Sequence, residues 1–471
     1  MNKKTELAKN TLIILLGKFC TQFLSFFLLP LYTKYLTTSE YGIYDLINTY
    51  LILLVPVISL ELSDALFRFL IDARENEKKE RKIISSILCG IIVIIVIVSL
   101  LAIFAGIFIK IEYLYFIIFD VIAMTFSSFA LQSARGLGNN REYACGSIVT
   151  AFLTITISGL FLIFTQLKIE GILISIGISN LACYLYIYLR LKLYKLIKIK
   201  EYDKMQLKSA LKYALPLIPN SISWWIINVS DRTMITAMIG SSANGIYSVA
   251  NKFSSAFVIL YSVFNLSWSE SASLYINDAD KDKFFNETIN EMLKLFSCIG
   301  LGIIGFMPFV FNIFVDANYN EAYNYIPLLI LGSMLNIYVG LISAIYVAKK
   351  KSKEIAKTST FAALINIFIN LFILKVLGIY GACLSTVIAF LAMFIYRYID
   401  LQKYIKLKLN IKFVISFIII MCLSNYLYYK NNYYWNIINL CIIISYSFFI
   451  NVNFIKEIIQ IIINKIHIKK I

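Results

Sequence analysis

The chain has 471 residues, 60% of them hydrophobic and 15% charged, with a formal net charge of +17. This composition is far from that of a soluble domain. The apolar residues fall in blocks of about twenty, the pattern of a polytopic helical membrane protein. No connection between blocks is long enough for a separate soluble domain, which places the function at a membrane.

In chain order, the first block, Leu12–Tyr32, is too long for the apolar core of a signal peptide, and no small-residue cleavage site follows it, so it reads as a retained span. Fourteen spans are predicted, near 11–31, 42–64, 83–109, 113–134, 144–166, 171–190, 213–240, 245–269, 292–315, 326–348, 358–377, 382–400, 413–429 and 437–455. Prolines at 30, 56, 216, 219, 308 and 327 fall where membrane helices tolerate them, because neighbouring helices re-satisfy the backbone. The eight cysteines are scattered, almost all in apolar blocks, and none forms a CxxC, so they read as small packing residues.

Once the spans are placed, the basic residues sort the loops. The N-terminus, the even-numbered loops and the C-terminal tail hold 35 of the 44 Lys and Arg, with the densest groups at Arg68 to Lys82, Arg190 to Lys212 and Lys349 to Lys357. The opposite side holds five: Lys34, Lys110, Lys168, Lys375 and Lys430. That asymmetry is the positive-inside signature and predicts both termini in the cytoplasm. Topology and anionic inner-leaflet lipid account for the positive charge, which therefore carries no implication of DNA or RNA binding.

The two halves echo each other. Tyr41-Gly42-Ile43-Tyr44, followed by Asn48, opens the second span; Asn244-Gly245-Ile246-Tyr247, followed by Asn251, opens the eighth, 203 positions later. Glu170-Gly171-Ile172 enters span six and Tyr380-Gly381-Ala382 enters span twelve, 210 positions later. The basic loops 135–142 and 349–354 also correspond. Together these predict a parallel repeat of two six-helix bundles, 1–200 and 205–405, with 410–471 supplying two extra helices and a cytoplasmic tail. Duplicated bundles around a central cleft are a common transporter plan.

Polar residues inside spans face cavities or partners. Span seven is the richest: Asn220, Trp224, Asn228 and Asp231 share one helix face, with Arg232 beside it. Span one carries Lys18, Gln22 and Ser25; span eight carries Asn251, Ser254, Ser255 and Asn265, with Lys252 adjacent; span four holds Asp120; span eleven holds Asn366 and Asn370. One reading is a hydrated cationic cavity in which Lys18, Arg232 and Lys252 bind an anion, Arg232 in bidentate fashion. Gln22, Asp120, Asn220, Asn228, Asp231 and Asn251 are then polar lining or coupling candidates. The plainer reading makes Asp231 a neutraliser of an intramembrane cation and the Ser/Asn stripes helix-packing contacts. Asp64 and Arg68 at i, i+4 read as a salt pair, and Asp45, Glu270 and Lys294 as span-end residues that snorkel.

No P-loop sequence occurs, and Gly136-Leu137-Gly138-Asn139-Asn140 reads as a turn. The sole histidine, His467, has no second histidine for a metal. Neither a catalytic residue nor a metal site is expected.

Around spans seven and eight the chain resembles the bacterial polysaccharide-biosynthesis flippases, the Wzx-type branch of the multidrug/oligosaccharidyl-lipid/polysaccharide exporter superfamily. The carrying residues are Leu215-Pro216-Leu217-Ile218-Pro219-Asn220, Trp224-Trp225, Asp231-Arg232 and Gly245-Ile246-Tyr247-Ser248-Val249-Ala250-Asn251-Lys252-Phe253. Lys9-Asn10-Thr11, Gly17-Lys18 and Leu36-Thr37-Thr38-Ser39-Glu40-Tyr41-Gly42 support them. The resemblance covers spans one to twelve and fades after Lys350. It implies an all-α membrane protein of two six-helix bundles around a central cavity. It also implies translocation of a polyprenyl-diphosphate-linked oligosaccharide between leaflets of a bacterial plasma membrane, without ATP and without enzymatic chemistry. A coupling ion (Na+ or H+) in place of a cofactor, and a polysaccharide polymerase and chain-length protein as partners, belong to the same implication. Two other readings are a drug/cation exporter of the same superfamily, which favours acidic cavity residues, and a membrane polymerase or glycosyltransferase, for which the outer segments are too short.

Overall fold

The computed structural model describes residues 26–74, 76–349, 351–452 and 456. Helix is the only regular structure among them, as expected where hydrocarbon offers the backbone no partner. Twelve helices among the described residues are long and apolar enough to cross a membrane. Two predicted spans are not among those twelve. Span 11–31 lies mostly outside the described residues, and span 213–240 contains a 21-residue helix with too many polar side chains to qualify by hydropathy.

The chain divides into two compact units, Met1–Gly245 and Ile246–Ile471. The first contains α1 (Leu29–Tyr35), α2 (Thr38–Ile58), α3 (Leu62–Ala73), α4 (Glu77–Phe108), α5 (Leu114–Gly136), α6 (Asn140–Phe164), α7 (Ile169–Arg190), α8 (Lys204–Ala214) and α9 (Ile218–Met238). α10 (Ser241–Tyr275) starts in the first unit and continues into the second. The second unit adds α11 (Lys281–Phe314), α12 (Ile326–Ala348), α13 (Ser352–Leu377), α14 (Ile379–Leu401), α15 (Ile411–Tyr429) and α16 (Tyr433–Ile450).

α2 begins in a capping box. The Thr37 hydroxyl accepts from the Glu40 amide, and the Glu40 carboxylate accepts from the Thr37 amide at 2.8 Å. Lys168 reaches the same carboxylate at 2.8 Å. The predicted second span, 42–64, is one helix in sequence but two in structure. Pro56 withholds an amide from the last turn of α2, and the chain then passes through Leu60 (φ 50°) and Glu61 (φ 55°) before α3 starts. Left-handed backbone at two consecutive non-glycine residues is held only where the surroundings enforce it. Below the break, Leu62, Leu66 and Leu70 of α3 pack on Ile84, Ile87 and Ile91 of α4, with Phe129 of α5 and Ala210 and Ala214 of α8 closing the cluster.

The glycines of the repeated motif meet each other. A Cβ on Gly42 would lie 1.9 Å from the Ser241 carbonyl oxygen, and one on Gly245 would lie 1.9 Å from the Thr38 carbonyl oxygen. Thr38 and Ser242 share a hydroxyl hydrogen bond at 2.6 Å, as do Ser39 and Ser241. Adding the 203-residue offset converts each of these contacts into the other. The starts of α2 and α10 are therefore related by a local pseudo-two-fold, the self-complementary pairing of an isologous contact. The Asn244 amide adds a buried hydrogen bond to the Gly42 carbonyl, 2.8 Å long.

In the second unit, α12 is enclosed by α11, α13 and α14. Trp268 donates to the Leu341 carbonyl at 2.8 Å, and Ser254 shares a bond with Ser333. Arg397 of α14 is buried and donates to Thr358 and Ser359 of α13, to the Ile355 carbonyl and to Ser343 of α12, so it ties three helices together. Asn370 donates to Asn366, which reaches Ser385 at 3.3 Å. Ser254, Asn366 and Asn370 thus contribute to helix packing. α15 and α16 pack on α11. The glycine-rich segment after α5 is a turn, with Gly138 at φ 84°. Among the cysteines, Cys183, Cys298 and Cys383 are buried, but Cys422 and Cys441 are exposed rather than packed.

Gly42→Ala and Gly245→Ala should each destabilise the folded protein by about 1–3 kcal/mol or more, since backbone rather than a pliable side chain stands in the way. Gly302→Ala, where an added Cβ meets nothing within 4 Å, should not destabilise it. Thermal unfolding of the three purified variants checks this; equal melting temperatures would contradict the crossing.

Candidate functional site

Within the first unit, α9 lies along α2 and carries a seam of polar contacts. At one end the Arg232 Nε lies 2.7 Å from an Asp45 carboxylate oxygen in an ion pair, with the two side chains only 16% and 5% exposed. A turn further along α2, the Trp225 indole N–H donates to the Thr49 carbonyl at 2.9 Å. Tyr50 packs edge-on against the Trp225 ring at 5.1 Å, and its hydroxyl lies 3.4 Å from Thr233. At the other end, Ser221 donates to Glu61, the buried left-handed residue that caps α3.

The order of residues explains the seam. Pro219 occupies the first turn of α9, where its missing amide is harmless. From there Ser221, Trp225 and Arg232 run up the helix in the opposite direction to Glu61, Thr49 and Asp45. The break after α2 directs the Glu61 carboxylate toward α9; a continuous helix would give it a different heading. A second polar group continues below the break. Gln132 of α5 donates to Asp64 at 2.7 Å, and Arg135 donates to Gln132 and stacks over the Phe67 ring at 4.3 Å. Arg74 closes this end by donating to the Gly136 carbonyl at 2.7 Å.

Several sequence expectations change here. Arg68 pairs with Asp72 at 2.7 Å rather than with Asp64, which takes Gln132 instead. Both acids lie four residues from Arg68, and spacing alone does not choose between them. Asp45 does not snorkel: it is buried. Its signal in the sequence was the stripe Tyr41, Asp45, Thr49 on one face, all three buried in the structure. Asp231 is buried, next to Arg232 in sequence. The ion pair of Arg232 reaches across to another helix.

The remaining candidates are placed as follows. Lys18 and Gln22 lie outside the described residues. Asn220 and Asn228 stand on α9, with side chains outside what is described. Asn251 and Lys252, both half-buried, lie on the part of α10 that belongs to the second unit. Asp120 is fully buried on α5, which packs on α7, and sits beside the Gly177 backbone, away from the α2–α9 seam. No group of three or more metal-ligating side chains occurs among the described residues.

The seam and the helices that form it lie inside residues 7–269, which match the family model described as "Polysaccharide biosynthesis protein". The chain belongs to that family. The family is the one to which the residues of spans seven and eight pointed. Among solved structures, a lipid II flippase MurJ in an inward closed conformation is 18% identical, covering 95% of this chain and 100% of its own at a TM-score of 0.70. An inward-facing multidrug resistance MATE transporter of the MOP superfamily is 13% identical, covering 83% of this chain and 95% of its own at a TM-score of 0.65. A MOP-superfamily transporter from Pyrococcus furiosus, whose title reports a binding pocket of reversed polarity, is 12% identical over 84% of this chain and 95% of its own, with a TM-score of 0.57. At such identities the likeness is one of fold, and that fold is the all-α transporter fold. Among curated proteins, no sequence matches the chain. The polysaccharide-family member is thus a multi-pass membrane protein with the architecture of flippases and exporters.

Removing one partner of a buried ion pair strands the other charge, so Arg232→Gln and Asp45→Asn should each destabilise by about 3–5 kcal/mol. The double variant should lose much less than the sum. Melting curves for the cycle measure this; additive losses would mean the two side chains are energetically independent.

Proposed function

We propose that this chain is a flippase that moves a polyprenyl-diphosphate-linked oligosaccharide from the inner to the outer leaflet, supplying a surface polysaccharide of the O-antigen or capsule type. The observation that carries this reading is a mostly buried guanidinium on α9, Arg232, paired with buried Asp45 within the segment that matches the polysaccharide family. Arg232, with Lys18 and Lys252, would meet the diphosphate or an acidic sugar, because a guanidinium binds phosphate oxygens in pairs. Gln22, Asn220, Asn228, Asp231 and Asn251 would line the route. Asp45 would then act as a resting counter-ion that gives way to the substrate's anion.

In this reading the chain works as a carrier rather than an enzyme, by alternating access of two bundles at about 1–200 and 205–405, with 410–471 outside the repeat. An Na+ or H+ gradient would drive it, and buried Asp120 is the first position to test for coupling. A polysaccharide polymerase and a chain-length protein would act downstream on its product. The lipid II named for the MurJ structure belongs to the same chemical class as the proposed substrate. A drug/cation exporter is the rival reading. It predicts that neutralising Asp45 or Asp231 is harmful while neutralising Arg232 and Lys252 is tolerated.

Transport separates the roles. Lipid-linked oligosaccharide translocation should fall at least tenfold in Arg232→Gln. It should stay low in the Arg232→Gln/Asp45→Asn double variant, even though that variant recovers stability. Full transport by the double variant would remove Arg232 from substrate binding. Arg232→Lys should rescue only in part, since it keeps the charge but not the fork.

In this reading the chain would sit in a bacterial plasma membrane, and the charge asymmetry of its loops supports both termini inside. Reporter fusions after Lys212, Lys357 and Lys412 should report cytoplasm, and one near Asn432 the exterior. An exterior signal after Lys212 would overturn this arrangement.

A further inference from the structure

Between Arg190 and Lys212, on the stretch that leads from α7 through α8, stand eight cations and two acids. One of the acids, Asp203, is already engaged: it pairs with Lys82 of α4 and caps α8 by accepting from the Met205 amide at 2.7 Å. The lysines at 195, 198, 200, 204, 208 and 212 are all exposed. Topology asks only that cations lie on this side of a membrane; here they are also held in order. The Ser85 hydroxyl of α4 accepts from the Lys198 amide at 2.9 Å and donates to the Leu196 carbonyl at 3.3 Å, and the Ser86 hydroxyl accepts from the Asp203 amide at 2.8 Å. α8 then turns Leu207, Ala210, Leu211 and Ala214 onto α3 and α4. Its opposite face carries Lys204, Lys208 and Lys212 at i, i+4 and i+8, a row with a spacing of about 6 Å.

The neighbouring helices fix the height of this row. On α7 the apolar side chains stay exposed up to Leu189, the residue before Arg190. On α4 the first strongly exposed apolar side chains, Ile92 and Val93, come six residues after Ser86, about 9 Å along the helix. The basic segment therefore stands within about a headgroup's depth of the lipid-facing surface of both spans. It also holds out apolar tips among its cations. Ile199, between Lys198 and Lys200, is 80% exposed, and Met205, beside Lys204, is 71% exposed. Apolar tips flanked by ammonium groups suit a segment that lies in the interface plane, with the tips toward the acyl boundary and the charges on phosphate. We propose that residues 194–212 form a docking surface for the anionic phospholipid headgroups of the leaflet beside them. Lys204, Lys208 and Lys212 are its ordered row, and Ile199 and Met205 are its inserted tips. This assignment goes beyond the flippase reading and does not depend on it.

The test uses the full-length protein in nanodiscs of phosphatidylglycerol or of phosphatidylcholine. Amide hydrogen exchange across 196–213 should be at least about fivefold slower in phosphatidylglycerol, the gain expected from one lysine at an anionic surface. Lys204→Gln/Lys208→Gln/Lys212→Gln should remove that difference, and Lys204→Arg/Lys208→Arg/Lys212→Arg should keep it. Lys349→Gln/Lys353→Gln/Lys357→Gln, which takes the same charge from another basic loop, should also keep it. Equal exchange of the wild type in the two lipids would overturn the proposal and leave this face to a protein partner. Loss of the difference in both glutamine triples would overturn it too, since net charge rather than this row would then be at work. Ile199→Ser/Met205→Ser leaves every charge in place and should shrink the protection; unchanged protection would overturn the insertion of the tips.

Discussion

The first unit depends on one close approach of backbone to backbone, where α2 and α10 cross at Gly42 and Gly245. No side chain larger than hydrogen fits there, and the small hydroxyls on either side satisfy one another across the crossing. Close approach of this kind is how helices associate in lipid, where hydrophobic burial between them gains nothing over contact with lipid tails. Everything between residues 42 and 245 is a loop closed by this contact. The α2–α9 seam lies inside the loop, so the register of Arg232 against Asp45 and of Trp225 against Thr49 is set by a crossing that carries no charge.

The seam shows how one helix can satisfy many polar groups against a neighbour. α9 is too polar to qualify as a span by hydropathy, and its Ser221, Trp225, Arg232 and Thr233 meet α2 and the break before α3. Ion pair, indole, hydroxyl and carboxylate each find a partner on the same neighbour. In a low-dielectric surrounding such contacts hold firmly when complete and are costly when broken.

Much of this was legible in the sequence, and the gaps have physical causes. Twelve of the spans follow from hydropathy because a helix that faces lipid must be largely apolar. The Gly42 and Gly245 motifs stand out in the sequence, and at both glycines an added Cβ would meet backbone. The break in the second span was not visible. Pro56 is tolerated within many membrane helices, and Leu60 and Glu61 carry no marker for left-handed backbone. Asp45 was misread because its distance from the span end suggested water, when its helical face, shared with Tyr41 and Thr49, pointed inward. The choice of Asp72 over Asp64 by Arg68 is a competition between equal spacings, settled by Gln132 from a helix distant in sequence. Arg397 carries no sequence sign of its buried role, yet it is enclosed by hydroxyls from two other helices. Side chains that find partners across the fold in this way are beyond the reach of local pattern.

The left-handed pair at Leu60 and Glu61 has a mechanical meaning. α3 is fixed below it, packed on α4, α5 and α8. α2 is fixed above it to α9 and to the start of α10. Between the two stands a joint of three residues whose amides turn back to the Val55, Val57 and Pro56 carbonyls, so rotation there would have to give up these closing bonds. Bending stress applied to α2 therefore concentrates at Ser59–Glu61, where the Glu61 carboxylate also holds Ser221 of α9. The joint and its clasp are one residue, and a torque that turns the backbone at Glu61 must also pull on α9.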